Sequence, residues 1–107
     1  MGAPSYLLIG KGNPEFLCSA SHGAGRARSA LGGSASLSRF DLTRQGADKS
    51  EDVLGLTGVD CITLREERRI EEAPAAYKPI QPVIDAQVEA QMVGVVALMK
   101  PLLTFKA

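Results

Sequence analysis

One stretch of this chain carries a sustained helical period, and it limits what the remainder can build. Ile80, Val83, Ile84, Val88 and Met92 recur at spacings of three and four, with Gln81, Asp85 and Glu89 in a polar row beside them. Pro79 and Pro82 suit a first turn, where a missing N–H costs nothing. Gly94 is the expected end. Gln87 and Gln91 interrupt the apolar stripe, so the buried face is not purely apolar.

The other ordered pieces are short. Ser5–Ile9 is an apolar, β-prone run stopped by the dense turn chemistry of Gly10-Lys11-Gly12-Asn13-Pro14. Residues 15–20 (Glu-Phe-Leu-Cys-Ser-Ala) form a second strand candidate, which predicts a hairpin with a longer loop. A helical turn or two is expected from Arg26 to about Leu31, ended by Gly32-Gly33-Ser34, and a weakly patterned loop from Ala35 to Ser50. Asp52–Leu56 reads as a short helical turn, and Cys61–Leu64 as a β-branched strand. Arg65–Glu72 mixes charges of both signs and reads as a solvated edge strand or face. A loop with two prolines, Ala73–Pro79, leads into the helix, and Val95–Phe105 reads as a strand broken or bent at Pro101. Strands and helices mixed along the chain predict an α+β fold. These pieces read as parts of sheets whose partner strands are missing, as in a fragment of a larger domain.

A chain of 107 residues is one domain at most. Twelve basic residues balance twelve acidic ones, which leaves no electrostatic footprint for nucleic acid or an anionic membrane. The apolar run Met92–Met99 is too short to span a bilayer, and Met1 is followed by no basic region and apolar core. A cytoplasmic protein without a membrane partner is the expectation. Cys18 and Cys61 belong to no CxxC pair and read as reduced thiols buried on strands, although a disulfide remains open.

The chemistry concentrates at Ser21-His22-Gly23-Ala24-Gly25-Arg26, around the single histidine. Gly23 and Gly25 remove side chains on either side of Ala24, so backbone N–H groups can approach an anion closely. Arg26 can fork two hydrogen bonds to phosphate oxygens. A neutral imidazole beside such a seat can attack phosphorus. The competing reading is a tight structural turn with a capping histidine.

The run from Phe16 to Arg26 closely resembles the histidine segment of the RtcB family of RNA-splicing ligases. Three further stretches agree in order: Met1-Gly2-Ala3-Pro4-Ser5-Tyr6, Glu71-Glu72-Ala73-Pro74-Ala75-Ala76-Tyr77-Lys78, and the ending Lys100–Ala107. The resemblance spans nearly the whole chain, weakest from Leu31 to Gly58, and corresponds to about the last quarter of a family member. It implies a single region, residues 1–107, that is the C-terminal segment of an RtcB-like ligase domain and incomplete by itself.

The resemblance implies an enzyme that joins an RNA 3′-phosphate or 2′,3′-cyclic phosphate end to a 5′-hydroxyl end, using GTP and manganese. His22 would be the catalytic nucleophile, forming a GMP–histidine intermediate. Met1, Ser5, His22, Gly23, Ala24, Gly25, Tyr77 and Lys106 would hold the guanine nucleotide, Tyr77 by stacking against the base. The family's metal ligands lie upstream, so this chain contributes none, and Cys18 and Cys61 do not match the ligand cysteine. Pro79 stands where an aspartate is usual, Ala30 where an arginine is usual, and Ala3-Pro4 is an unusual form of the first segment. The alternative class is a non-catalytic module that binds guanine nucleotide or associates with a partner supplying the missing part. A third reading is a plain α+β domain whose glycine turn is structural.

Overall fold

The computed structural model describes residues 2–27 and 49–107. The expected helical turn beyond Ala27, its glycine stop and most of the following loop lie outside the described residues. The elements are β1 (Ser5–Gly10), α1 (Glu51–Leu54), β2 (Asp60–Thr63), α2 (Glu66–Glu71), α3 (Gln81–Glu89), β3 (Val93–Met99) and β4 (Leu103–Lys106), with 3-10 turns at Pro14–Phe16 and Pro74–Ala76. Helices and strands are mixed, as expected of an α+β fold. They fall into two compact units, one of residues 4–24 and 79–100, the other of residues 1–3, 25–78 and 101–107.

In the first unit, β1 pairs antiparallel with β3, from Ser5↔Met99 to Gly10↔Val93, with an irregularity between Leu7 and Leu8. The expected hairpin between β1 and residues 15–20 does not form. Asn13 prevents it: its side chain accepts from the Glu15 N–H at 3.0 Å and its carbonyl accepts from the Cys18 N–H at 2.9 Å. Those bonds wind the chain into a 3-10 turn, and Leu17 and Cys18 then adopt positive φ of 55° and 52°. Non-glycine residues rarely sit there, because Cβ crowds the following carbonyl. Cys18 is therefore an exposed thiol off any strand.

Helix α3 forms where the periodicity placed it. Its end is not Gly94, which lies inside β3. Gln91 takes the left-handed conformation, φ 57°, while the Met92 N–H donates to the Gln87 carbonyl and the Gln91 N–H to the Val88 carbonyl. This is the Schellman closure with glutamine in the position glycine usually takes. The buried positions of α3 are Ile84 and Gln87, and Val88 is exposed.

In the second unit, Leu54, Leu56, Ile70, Ala73 and Ala76 form the core, with Cys61, Ala75 and Tyr77 packed against it. Helix α1 closes at Gly55, φ 76°, where a Cβ would stand 3.2 Å from Pro74 Cβ. Glycine supplies both the positive φ and the close approach. The charged run at residues 65–72 is a helix, not an edge strand. Ile70 is buried within it, and Arg69 pairs with Glu66 at 3.3 Å and with Glu51 at 3.5 Å. Alternating charges at a spacing of three support a helix through such pairs. The run beyond Val95 divides at Pro101 as expected, but its halves join different sheets: β4 pairs in parallel with β2, from Asp60↔Leu103 to Thr63↔Lys106. Arg26, expected to begin a helix, is extended and bridges to Tyr77.

Candidate functional site

His22 is exposed, on a turn that follows β1 and the 3-10 segment. Its anchor is a residue that sequence reasoning treated only as an interruption. Gln87 is 5% exposed, and its side-chain oxygen accepts the Ser21 N–H at 2.8 Å. Its amide nitrogen donates to the Val83 carbonyl at 3.3 Å. A buried amide costs free energy unless its hydrogen bonds are made, and here one of them fixes the backbone next to His22. The signal was present in the sequence, a glutamine on the apolar stripe of an amphipathic helix, but its partner lies 66 residues away.

The rest of this loop is tied to α3 and the residues after it by further polar bonds. Tyr6 Oη donates to Gln81, Lys11 Nζ to Gln91 at 2.8 Å, and Asn13 Nδ2 to the Ala90 carbonyl at 2.9 Å. Past His22, the Ser21 hydroxyl donates to the Gly23 carbonyl at 2.8 Å. A Cβ at Gly23 would meet nothing within 4 Å. Among the described residues, no protein acceptor takes the N–H groups of His22 or Ala24. Backbone N–H groups left without a protein acceptor in a glycine turn are what a phosphate seat requires. Ser5, Gly23 and Ala24 belong to the same unit as His22. Ser5 stands at the first β1 position, opposite Met99. Met1 lies outside the described residues.

Gly25, Tyr77 and Lys106 belong to the other unit, as do Arg26 and Glu72. The Arg26 guanidinium donates to the Glu71 carbonyl at 2.7 Å and to Glu72 Oε1 at 3.2 Å, and lies 4.9 Å from the centre of the Tyr77 ring. The fork expected to grip phosphate is thus committed to the protein, one tooth on backbone and one on a carboxylate. Its stack covers one face of Tyr77, a cation–π contact. The Tyr77 hydroxyl donates to Glu72 Oε2 at 2.6 Å. Lys78 N–H to Gly25 carbonyl and Ala27 N–H to Ala76 carbonyl, both 3.0 Å, hold the two backbones in register. Sequence reasoning assigned no role to Glu72, which is the hub of this cluster.

The charges of the pair reflect that geometry. The Tyr77 hydrogen bond holds the Glu72 carboxyl below its ordinary 4.5, against partial burial and with help from the Lys106 and Arg26 charges. Burial, and then the Glu72 carboxylate, push the Tyr77 hydroxyl above its ordinary 10.0. The depressed Glu72 contributes stability above about 4.5 that is lost as pH falls through its folded value. The raised Tyr77 contributes stability below about 10 that is lost as pH rises through its own folded value. Tyr77→Phe is expected to cost about 1–3 kcal/mol at neutral pH, because the substitution removes a hydrogen bond to a charged group. The difference from the parent should shrink as pH falls below about 4.5. Urea denaturation at pH 7 and pH 3 checks this, and a difference independent of pH would contradict it.

Among the described residues, no three His, Cys, Asp or Glu side chains gather where they could hold one metal ion. No helix among them is long and apolar enough to cross a membrane.

Two comparisons bear on what this arrangement belongs to. The whole chain, residues 1–107, matches the profile of the family described as tRNA-splicing ligase RtcB. RNA-splicing ligase RtcB of Escherichia coli K12 is 38% identical to it over 87 residues, which are 81% of this chain and 18% of that protein. RNA-splicing ligase RtcB1 of Escherichia coli strain ATCC 25922 matches with the same identity and coverage. The matched stretch thus spans under a fifth of the length of either relative. The chain belongs to the RtcB family.

Proposed function

We propose that this chain is the C-terminal part of an RtcB-type RNA ligase and carries its guanylate on His22. The observation that carries the reading is His22 itself: an exposed imidazole on an N–H-lined glycine turn whose backbone is pinned from a buried Gln87, within a family match covering residues 1–107. A ring nitrogen of neutral His22 would attack the α-phosphorus of GTP. One N–P bond forms, the bond from that phosphorus to the bridging oxygen breaks, and pyrophosphate leaves. The guanylate then passes to an RNA 3′-phosphate, from which a 5′-hydroxyl end displaces it.

Within the chain the roles divide. Gly23, Ala24 and Gly25 give the phosphate close access to backbone donors. Ser5 and Lys106 would contact the nucleotide, with Met1 close by. Tyr77 would offer the guanine base an aromatic ring to stack on. Glu72 and Arg26 hold that ring at a set angle. Manganese would supply charge neutralisation at the phosphoryl oxygens. Among the described residues no set of ligands fits it, and the family resemblance puts its ligands upstream of this segment.

The chain alone is therefore expected to form no adduct. Incubated with GTP labelled at the α-phosphate and manganese, it should stay unlabelled. Supplied with the remainder of an RtcB domain, it should take label that His22→Ala abolishes. Label on a residue other than His22 would overturn the assignment. Saturable GMP binding with no adduct under either condition would leave a nucleotide-binding module in its place.

A further inference from the structure

In the second unit, the β2–β4 ladder is turned inside out. Ile62 faces Phe105 and Asp60 faces Leu103 across it, and Leu64 continues the register through its N–H to the Lys106 carbonyl. Residues two apart share a face of a strand, so Ile62, Leu64, Leu103 and Phe105 line one face. They are 60%, 82%, 53% and 81% exposed. The opposite face, toward the core, carries Cys61, Thr63 and Thr104, and the buried Thr104 hydroxyl has no hydrogen-bond partner.

An edge ladder ordinarily puts its apolar residues inward and its hydroxyls out. Parallel pairing sharpens the anomaly, because parallel strands occur almost always with both faces covered. A contiguous exposed apolar patch of this kind marks an interaction surface.

The relatives indicate what covers it. The stretch of Escherichia coli RtcB that matches this chain is 18% of that protein, so most of a family member lies outside the match. We infer that the Ile62–Leu64–Leu103–Phe105 face is the docking surface for the polypeptide that completes an RtcB-type domain. This rests on the reading that the chain is one part of such a domain. It adds the surface through which the parts join.

The test is to co-express the full chain with Escherichia coli RtcB lacking its matching stretch. The expected result is a one-to-one complex whose affinity falls at least tenfold with Ile62→Glu and with Phe105→Glu. Both side chains are largely exposed, so neither change should unfold the chain. Should Ile62→Glu do so, Phe105→Glu on the last strand decides alone. His22→Ala, which removes the proposed nucleophile, should bind as the parent does, and a parent complex that assembles but takes no label discards the guanylate chemistry and keeps the docking face. Absence of a complex overturns the inference, as does a complex indifferent to both glutamates. A parent chain that dimerises and becomes monomeric on Phe105→Glu assigns the face to a second copy instead.

Discussion

Leu56→Ala should destabilise the second unit by about 2–5 kcal/mol, the range for removing a buried leucine that leaves a cavity. Leu56 is 0% exposed and, among the described residues, belongs to a core of five buried residues, two of them alanines. So small a core has few side chains able to move into the space. Stability of a whole domain is typically about 5–15 kcal/mol, so the loss would be a large part of what this unit has. The chain has no tryptophan and two tyrosines, Tyr6 in one unit and Tyr77 against this core. Tyrosine emission during urea unfolding, repeated with Tyr6→Phe as background, should therefore show the Tyr77 signal lost at much lower urea. Leu102→Ala, at a position 82% exposed, is the control. Equal midpoints for the two alanine variants would show that Leu56 is not a core residue.

Gln87→Leu should loosen the His22 turn without emptying the space that Gln87 fills. Leucine has a similar volume, so the cavity cost is small. What it removes is the acceptor for the Ser21 N–H. A donor left without its partner costs about 1–3 kcal/mol, which corresponds to roughly tenfold to a hundredfold faster exchange of that amide. Exchange at Ser21 should accelerate, while amides of β2 and β4, in the other unit, stay at parental rates. Unchanged Ser21 exchange would mean that the turn is held by something other than Gln87. If His22 is the guanylate carrier, the same variant should label more slowly in the completed enzyme with the nucleophile intact.

The two substitutions also separate what was readable in sequence from what was not. The helix at Gln81–Glu89 was legible because five apolar residues repeat at its period, and the strands at Ser5–Gly10 and Asp60–Thr63 because β-branched and apolar residues cluster between turn signals. The 3-10 turn at Pro14–Phe16 was misread as a strand because Phe, Leu and Cys are β-prone, whereas the local bonds of Asn13 prevailed. Helix α2 was not separable from an edge strand because its one apolar residue, Ile70, gives no period, and beside the local Arg69–Glu66 pair it is tied to Glu51 in another element. Arg26 was assigned to phosphate on its residue type, and its actual partners are 45 or more positions away.

Sequence alone determined the class, helices and strands mixed, and singled out the segment around the single histidine as the candidate site. Those properties are local, set by period, turn residues and side-chain type over a few positions. Tertiary structure decided that Gln87 anchors Ser21, that Glu72 joins Arg26 to Tyr77, and that the β2–β4 ladder turns its apolar face outward. Each of these rests on a hydrogen bond or a strand pairing whose direction is fixed only when the chain has folded back on itself.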